Sequence, residues 1–252
     1  MRLLRFCLLI SVFFLVFFSN SFAREVVLLG DSGYPPYSFE ENGEAKGIYV
    51  DVIKRIFERI DGYEVKFTML PWKRCIDEIK KGEAIAFFPP YYSEEREDWL
   101  VYSKPILEEQ TIVFGKEGKI KNKNIWPDDF YNSTIGLNAG FDHETMGGKK
   151  FANAIKMGMI KVEEAKNNEL NLKKLSVDRI DFYINDKMID ISKFPEIKRG
   201  VVVKVNWGYL GFTKDDFKFS SYYEDFKIKF NQAVTEIQKT DEIEQVIKKY
   251  TF

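Results

Sequence analysis

Residues 63–88 read YEVKFTMLPWKRCIDEIKKGEAIAFF and encode a strand, a helix and a second strand in succession. Every second residue from 63 to 69 is apolar, which is the period of a half-buried strand. A helix is predicted over Trp72–Lys81, and Gly82 ends it. Ala84–Phe88 is an unbroken apolar run of the kind found in buried strands. Two strands joined by one helix pack as a right-handed parallel unit, so this stretch predicts an α/β fold.

The same alternation of strands and helices continues on both sides of this unit. Amphipathic spacing predicts helices at about 48–60, 143–156, 222–238 and 241–250. Short apolar runs predict further strands at 25–29, 111–114, 133–137, 161–165, 180–184 and 201–205.

The strand and helix pattern restarts near residue 133 without a flexible spacer, which indicates two similar α/β lobes. We predict that lobe 1 comprises residues 24–112 together with 213–252, and that lobe 2 comprises 113–212. Two strand-like crossings, near 111–116 and 206–212, are expected to join them.

Composition excludes several classes of protein. The 252 residues include 38 basic and 39 acidic side chains, so no overall charge favours nucleic acid. His143, Cys7 and Cys75 are too few soft ligands for a zinc site, and a disulfide framework is excluded as well. The chain has neither a GxxxxGK[ST] loop nor a GxGxxG turn, so no nucleotide cofactor is predicted.

The first 23 residues have the layout of a secretory signal peptide. Arg2 and Arg5 precede an apolar run over 6–18, and Ser21 and Ala23 place small residues before the predicted cleavage point. The alternative is a membrane anchor, but as a helix this run spans only about 20 Å of a roughly 30 Å hydrocarbon core. We therefore expect export to the periplasm and a mature chain that begins at residue 24.

Five short motifs follow one another along the mature chain. They are Tyr34–Phe39 (YPPYSF), Gly47–Asp51 (GIYVD), Trp72–Arg74 (WKR) with Lys81–Ala84 (KGEA), Ser93–Arg96 (SEER) with Tyr102–Ile106 (YSKPI), and Asp181–Asp186 (DFYIND). In their order these motifs resemble the bacterial extracellular solute-binding proteins of family 3, the polar amino-acid type, and the resemblance covers essentially the whole mature chain. It implies a two-lobed periplasmic-binding-protein-like fold of type II, with a ligand cleft between the lobes.

The resemblance also implies roles for two charged residues. Arg96 matches the arginine that binds the ligand carboxylate, and a guanidinium suits a carboxylate because it donates two parallel hydrogen bonds. Asp186 matches the acid that accepts the ligand ammonium. The alternatives are a surface arginine paired with the acids of 94–98, and an acid that caps the helical turn after 186.

Further candidates for the cleft could form an apolar wall with polar groups, or hold a carboxylate through backbone N–H groups before a helix. The alternatives are ordinary core packing for the aromatic residues, a solvated side chain for Arg74, and an ordinary turn for the loop that contains Gly140 and Phe141. These candidates are Tyr34, Tyr37, Trp72, Arg74, Tyr91, Gly140 and Phe141.

The sequence departs from the family pattern at three places. Ile85 stands where the family usually has an acid, and Tyr91 stands where it has a carboxylate-binding Thr or Ser. The loop that contains Phe141 lacks the usual Gly-Thr/Ser pair. These departures leave the class of ligand open.

The expected function is that of a monomeric periplasmic binding protein without a cofactor. Its lobes would close about a hinge on a small polar ligand, an amino acid or a related zwitterion. The resemblance implies an ABC permease as the membrane partner. Two alternatives remain open: a soluble sensory partner of a membrane receptor, and an exported dehydratase of the same fold.

Overall fold

The computed structural model of the chain describes residues 23–250. The predicted signal peptide lies, except for Ala23, outside the described residues. Within the described part, none of the helices combines the length and the apolar character needed to span a membrane.

Residues 23–250 contain thirteen strands and seven α-helices, together with three short 3-10 helices. The strands are β1 (Arg24–Asp31), β2 (Gly33–Tyr34), β3 (Ser38–Glu41), β4 (Glu44–Lys46), β5 (Tyr63–Leu70), β6 (Ala86–Phe88), β7 (Leu100–Tyr102), β8 (Leu107–Lys116), β9 (Thr134–Asn138), β10 (Lys161–Ala165), β11 (Phe182–Asp186), β12 (Ile197–Gly208) and β13 (Gly211–Thr213). The helices are α1 (Ile48–Phe57), α2 (Trp72–Lys80), α3 (Glu117–Ile120), α4 (His143–Lys156), α5 (Asn168–Ser176), α6 (Tyr223–Ile237) and α7 (Glu242–Tyr250).

The first sheet has the strand order β5-β1-β6-β13-β7. Strand β1 pairs in parallel with both β5 and β6. Strands β5 and β6 are therefore parallel, as the opening stretch of sequence predicts, although β1 lies between them. Strand β13 returns from the far end of the chain and pairs antiparallel with β6 and β7. Helices α1, α6 and α7 cover one face of this sheet and bury Ile53, Phe226 and Phe230 in its core.

The second sheet has the order β10-β9-β11-β8-β12. Strand β9 is parallel to both β10 and β11, whereas β8 is antiparallel to β11 and β12. The chain leaves the first sheet after β7, enters β8, and returns from β12 to β13. The two long strands β8 and β12 therefore form the crossings between the lobes. Their pairing runs from Leu107 and Gly208 at one end to Lys116 and Ile197 at the other.

The crossings pair over a longer stretch than the sequence predicts. Apolar runs predict strands only at 111–114 and 201–205, because charged residues continue β8 and β12 beyond those runs. The small sheet β2-β3-β4 is not among the predicted elements, although its turn carries a clear signal. Asn42 and Gly43 both adopt positive φ, of 54° and 79°, and an Asn-Gly pair is a strong hairpin signal.

Candidate functional site

The carboxyl ends of strands from both sheets face one another, where open α/β sheets place their ligands. A cavity of about 30 Å³ lies between them. The first lobe contributes the end of β1, β2, the start of α2 and the chain after β6, and the second lobe contributes the loop between β9 and α4 together with the first turn of α4. The lining residues are Asp31, Tyr34, Trp72, Pro89, Tyr91, Arg96, Phe141, Asp142, Thr145 and Met146.

Arg96 is a buried cation in this cavity, with only 9% of its surface exposed. Its Nη1 donates a 2.9 Å hydrogen bond to the Tyr91 carbonyl oxygen, and its Cζ lies 5.8 Å from the centre of the Trp72 ring. Within residues 23–250 no carboxylate forms an ion pair with it, although acids crowd the sequence at 94–98. Buried charges are normally paired, so this guanidinium is suited to an anion from outside the chain.

Three tyrosine hydroxyls surround a fully buried acid beneath the cavity. Tyr34 and Tyr91 donate to Glu109 Oε2 over 2.7 and 2.6 Å, and Tyr49 donates to Glu109 Oε1. Gly208 of β12 makes room for this cluster, because a Cβ there would lie 1.7 Å from the Tyr49 hydroxyl oxygen. Two tyrosines that line the cavity are thus fixed by an acid on a crossing strand.

Burial raises the pKa of three acids around the site. The pKa of Glu109 rises to about 8 through burial and the nearby Asp186, although its tyrosine hydrogen bonds oppose the rise. The pKa of Asp31 rises to about 7 through burial, against hydrogen bonds from the backbone of Gly33 and Trp72. Burial also raises the pKa of Asp186 to about 6. Desolvation therefore disfavours the charged form of each group.

Asp186 is not among the residues that line the cavity. Its carboxylate accepts hydrogen bonds from the Tyr37 hydroxyl, at 2.8 Å, and from the backbone N–H groups of Gln110 and Met188, at 3.0 and 2.7 Å. Tyr37 likewise lies off the lining and stacks on Tyr34, with ring centres 5.1 Å apart.

Two other predicted residues lie at the edge of the site. Arg74 lies on α2 and does not line the cavity; 67% of its side chain is exposed, and Glu78 lies 3.9 Å from it. Gly140 adopts a positive φ of 83° and sits across from Trp72, where a Cβ would lie 3.8 Å from the indole Cδ1. The neighbouring N–H groups of Ala139 and Phe141 donate to carbonyls of the protein itself.

The cavity thus brings together Tyr34, Trp72, Tyr91, Arg96 and Phe141 from the sequence-based candidates. Asp31 and Glu109 are not among those candidates. Asp31 is the last residue of the first strand, at the ligand edge of the sheet, which is a signal that sequence reasoning could have used. Glu109 alternates with buried Thr111 and Val113 on β8, so its burial follows from strand period.

Among residues 23–250 there is no cluster of three or more His, Cys, Asp or Glu side chains that could hold a metal ion. Cys75 is a free, buried thiol on α2, packed against the first sheet.

Comparison with known proteins identifies relatives that are similar in sequence or in structure. The probable amino-acid-binding protein YxeM of Bacillus subtilis (strain 168) is 22% identical over 238 residues, which are 92% of this chain and 87% of that protein. A solved ancestral arginine-binding protein bound to arginine is similar with a TM-score of 0.72 and 20% identity, over 90% of this chain and 97% of that one. A histidine kinase sensor domain with similarity to periplasmic binding proteins is similar with a TM-score of 0.74 and 16% identity, over 90% and 95%.

These structural likenesses show the fold, which is the two-lobed α/β architecture of type II periplasmic binding proteins. The family model of the bacterial extracellular solute-binding proteins, family 3, matches residues 26–252. The sequence motifs, the crossing strands and this match agree, and the chain belongs to the bacterial extracellular solute-binding proteins of family 3.

Proposed function

We propose that this ligand-binding protein captures a small zwitterion, an amino acid or a close relative, in the cavity between its lobes. We further propose that it works in the periplasm and delivers its ligand to the permease of an ABC transporter. The observation that carries the first proposal is the buried Arg96, which lines the cavity and has no ion-pair partner within the described chain.

The cavity lining carries both hydrogen-bond donors and acceptors. Arg96 supplies donors for a ligand carboxylate. Asp31 and the hydroxyl oxygens of Tyr34 and Tyr91 supply acceptors for an ammonium group. Phe141 and Met146, from the second lobe, add apolar surface. A zwitterion with a small apolar portion matches this combination.

Of the two charged residues that the sequence singles out, Arg96 lines the cavity and Asp186 does not. We propose that it contributes to the ammonium side electrostatically and through Tyr37, whose ring stacks on the cavity residue Tyr34. Arg96 and the Asp186–Tyr37 pair would then act at opposite ends of the ligand.

Ligand entry requires the cavity to enlarge. Its volume of about 30 Å³ is well below the roughly 300–1,000 Å³ of typical ligand pockets. The lobes share the lining residues, so separation of the lobes about β8 and β12 is the simplest way to admit a ligand. Closure then surrounds it, and contacts from both lobes stabilise one conformation.

The test is a thermal-shift screen of the purified mature chain against the twenty L-amino acids, short peptides and organic acids. A compound that binds only the folded state adds about 2.7 kcal/mol of stability at 100 times its Kd. We expect at least one amino acid to raise the melting temperature, and calorimetry then confirms one site per chain. If only dicarboxylic acids without an amino group bind, the zwitterion proposal is wrong.

A separate experiment tests for catalysis. The family and the curated relative are binding proteins, and we propose that the chain turns over no substrate. Incubation with prephenate, followed by chromatography of the mixture, tests the alternative of a dehydratase. Formation of phenylpyruvate faster than the spontaneous rate would show that the chain is an enzyme and not only a binding protein.

A further inference from the structure

We propose that the indole N–H of Trp72 donates a hydrogen bond to the bound solute, so that the site selects a carboxylate held jointly by Trp72 and Arg96. This inference rests on the proposed function, because it assigns one further contact to the same cavity.

The first observation is an unpartnered donor. Trp72 Nε1 is buried and has no hydrogen-bond partner within residues 23–250. Trp126 shows the usual arrangement, since its Nε1 donates to the Gly147 carbonyl oxygen over 2.8 Å. A buried donor without a partner destabilises a fold, and native structures keep few of them. A partner supplied by a ligand accounts for its presence here.

The second observation is the place of this donor. Trp72 is the first residue of α2, and its ring lines the cavity. Its Cδ1 atom, which is bonded to Nε1, faces the second-lobe loop at Gly140, where a Cβ would lie 3.8 Å away. The edge of the indole that carries the N–H group therefore lies at the boundary between the two lobes, where a ligand held between them would bind.

The third observation is the neighbouring cation. The Arg96 Cζ lies 5.8 Å from the centre of the Trp72 ring, and both side chains line one cavity. A guanidinium and an indole N–H are both donors without acceptor capacity. Together they favour an oxyanion and disfavour an ammonium group at this end, because an ammonium has no lone pair to offer.

The ring itself has a second neighbour that fixes its orientation. Trp72 packs on Phe87 with ring centres 5.2 Å apart, and Trp99 packs on the same Phe87 at 6.4 Å. Trp99 does not line the cavity. It therefore provides a matched control, a half-buried tryptophan in the same apolar cluster.

The direct test uses sodium acetate as a minimal carboxylate probe. The mature protein is labelled with ¹⁵N at tryptophan, and Trp72→Phe assigns the Trp72 indole signal in two-dimensional NMR spectra. We expect acetate to move this signal with saturation. The Trp99, Trp126 and Trp207 signals should stay in place, and sodium chloride at equal ionic strength should have no effect. An unmoved Trp72 signal, or an equal response to chloride, overturns the proposal.

A second measurement uses each L-amino acid that stabilises the wild-type chain in the thermal-shift screen. By calorimetry, Trp72→Phe should bind it about 10- to 100-fold more weakly, the range for one hydrogen bond to a charged group. Trp99→Phe should bind within about twofold of wild type. Equal affinity in Trp72→Phe overturns the inference while the proposed function stands. If no amino acid binds, the proposed function fails, and the acetate titration still decides the role of the indole.

Discussion

The Tyr37 hydroxyl donates a 2.8 Å hydrogen bond to the Asp186 carboxylate, although the two residues are 149 positions apart. Tyr37 belongs to the loop before β3 of the first lobe, and Asp186 ends β11 of the second. Asp186 is fully buried, so this bond forms in a seam that solvent does not enter. It joins the two lobes directly, without a ligand between them.

Removing this bond should favour a more open arrangement of the lobes. A hydrogen bond to a charged group contributes roughly 1.5–3 kcal/mol, and Tyr37→Phe deletes it while keeping the ring. We expect small-angle scattering to give a larger radius of gyration for Tyr37→Phe than for wild type, both without ligand.

Tyr63→Phe is the matched control, because Tyr63 donates a 2.7 Å hydrogen bond to Asp225 on the surface of one lobe. Its radius of gyration should equal that of wild type. Identical scattering from Tyr37→Phe and wild type would show that the Tyr37–Asp186 bond does not hold the lobes together.

Much of the fold could be predicted because periodicity reports which face of an element is buried. The helix at 143–156 and the strand at 161–165 match α4 and β10. The parallel orientation of β5 and β6 follows from the strand–helix–strand stretch, whereas the insertion of β1 between them does not. Element lengths were less predictable. Strand β12 extends to Ile197 and Gly208 because pairing with β8, and not its own apolar pattern, stabilises its ends.

The candidate site was less predictable for a physical reason. A motif identifies a residue type at a position, whereas the partners of a side chain depend on tertiary contacts. The role of Glu109 depends on hydrogen bonds from Tyr34, Tyr49 and Tyr91, which come from three separate segments of the chain. No local motif indicates these contacts. The same packing brings the Tyr37 hydroxyl within hydrogen-bond distance of Asp186, and no spacing in the sequence indicates this contact.

The buried Glu109 should make stability depend on pH. Burial raises the pKa of Glu109 from 4.5 to about 8 in the folded protein. Between these values the folded state holds a proton that the unfolded chain has released, so the free energy of unfolding falls as pH rises. At about 1.4 kcal/mol per pKa unit, the loss is on the order of 3–5 kcal/mol.

Urea denaturation of wild type and Glu109→Gln at several pH values from 4.5 to 8.5 measures this effect. The amide introduced by Glu109→Gln does not titrate, so the stability of wild type relative to this variant should decline steadily over the range. Glu108→Gln, on the exposed side of the same strand, should follow wild type throughout. A constant difference between wild type and Glu109→Gln would mean that Glu109 is charged in the folded protein at every pH tested.

Export should yield a mature chain that starts at or near Arg24. In the structure the Arg24 N–H donates a 2.8 Å hydrogen bond to the Gly62 carbonyl oxygen, so the first sheet begins at this residue. Expression of the full-length gene in a Gram-negative host, followed by N-terminal sequencing of the periplasmic fraction, measures the cleavage point. Recovery of an intact N-terminus in the membrane fraction would favour the anchor.

Arg74 should contribute little to binding. Its side chain is 67% exposed, and Glu78 lies 3.9 Å from it on the same helix. An exposed pair of this kind contributes roughly 0–1 kcal/mol. Calorimetry of Arg74→Ala with the most stabilising amino acid of the thermal-shift screen should therefore give an affinity within about threefold of wild type. A larger loss of affinity would mean that Arg74 contacts the ligand, and that the start of α2 moves on ligand binding.

Arg96 should be the residue whose loss weakens binding most. Removing one partner of a desolvated charge pair typically costs roughly 3–5 kcal/mol, because the other charge stays buried and unpaired. Arg96→Ala should therefore bind the same amino acid about 100- to 5,000-fold more weakly by calorimetry. Arg96→Lys should recover only part of this affinity, since an ammonium cannot form the two parallel hydrogen bonds of a guanidinium.

The control for this series is Arg55→Ala, which removes an exposed arginine that pairs with Glu58 at the end of α1, at 3.2 Å. It should bind as wild type does. Circular dichroism must first show that Arg96→Ala is folded, because Arg96 Nη1 also supports the Tyr91 carbonyl oxygen. If folded Arg96→Ala binds within about threefold of wild type, the guanidinium serves only that internal hydrogen bond. The ligand carboxylate would then have to be held elsewhere in the cleft.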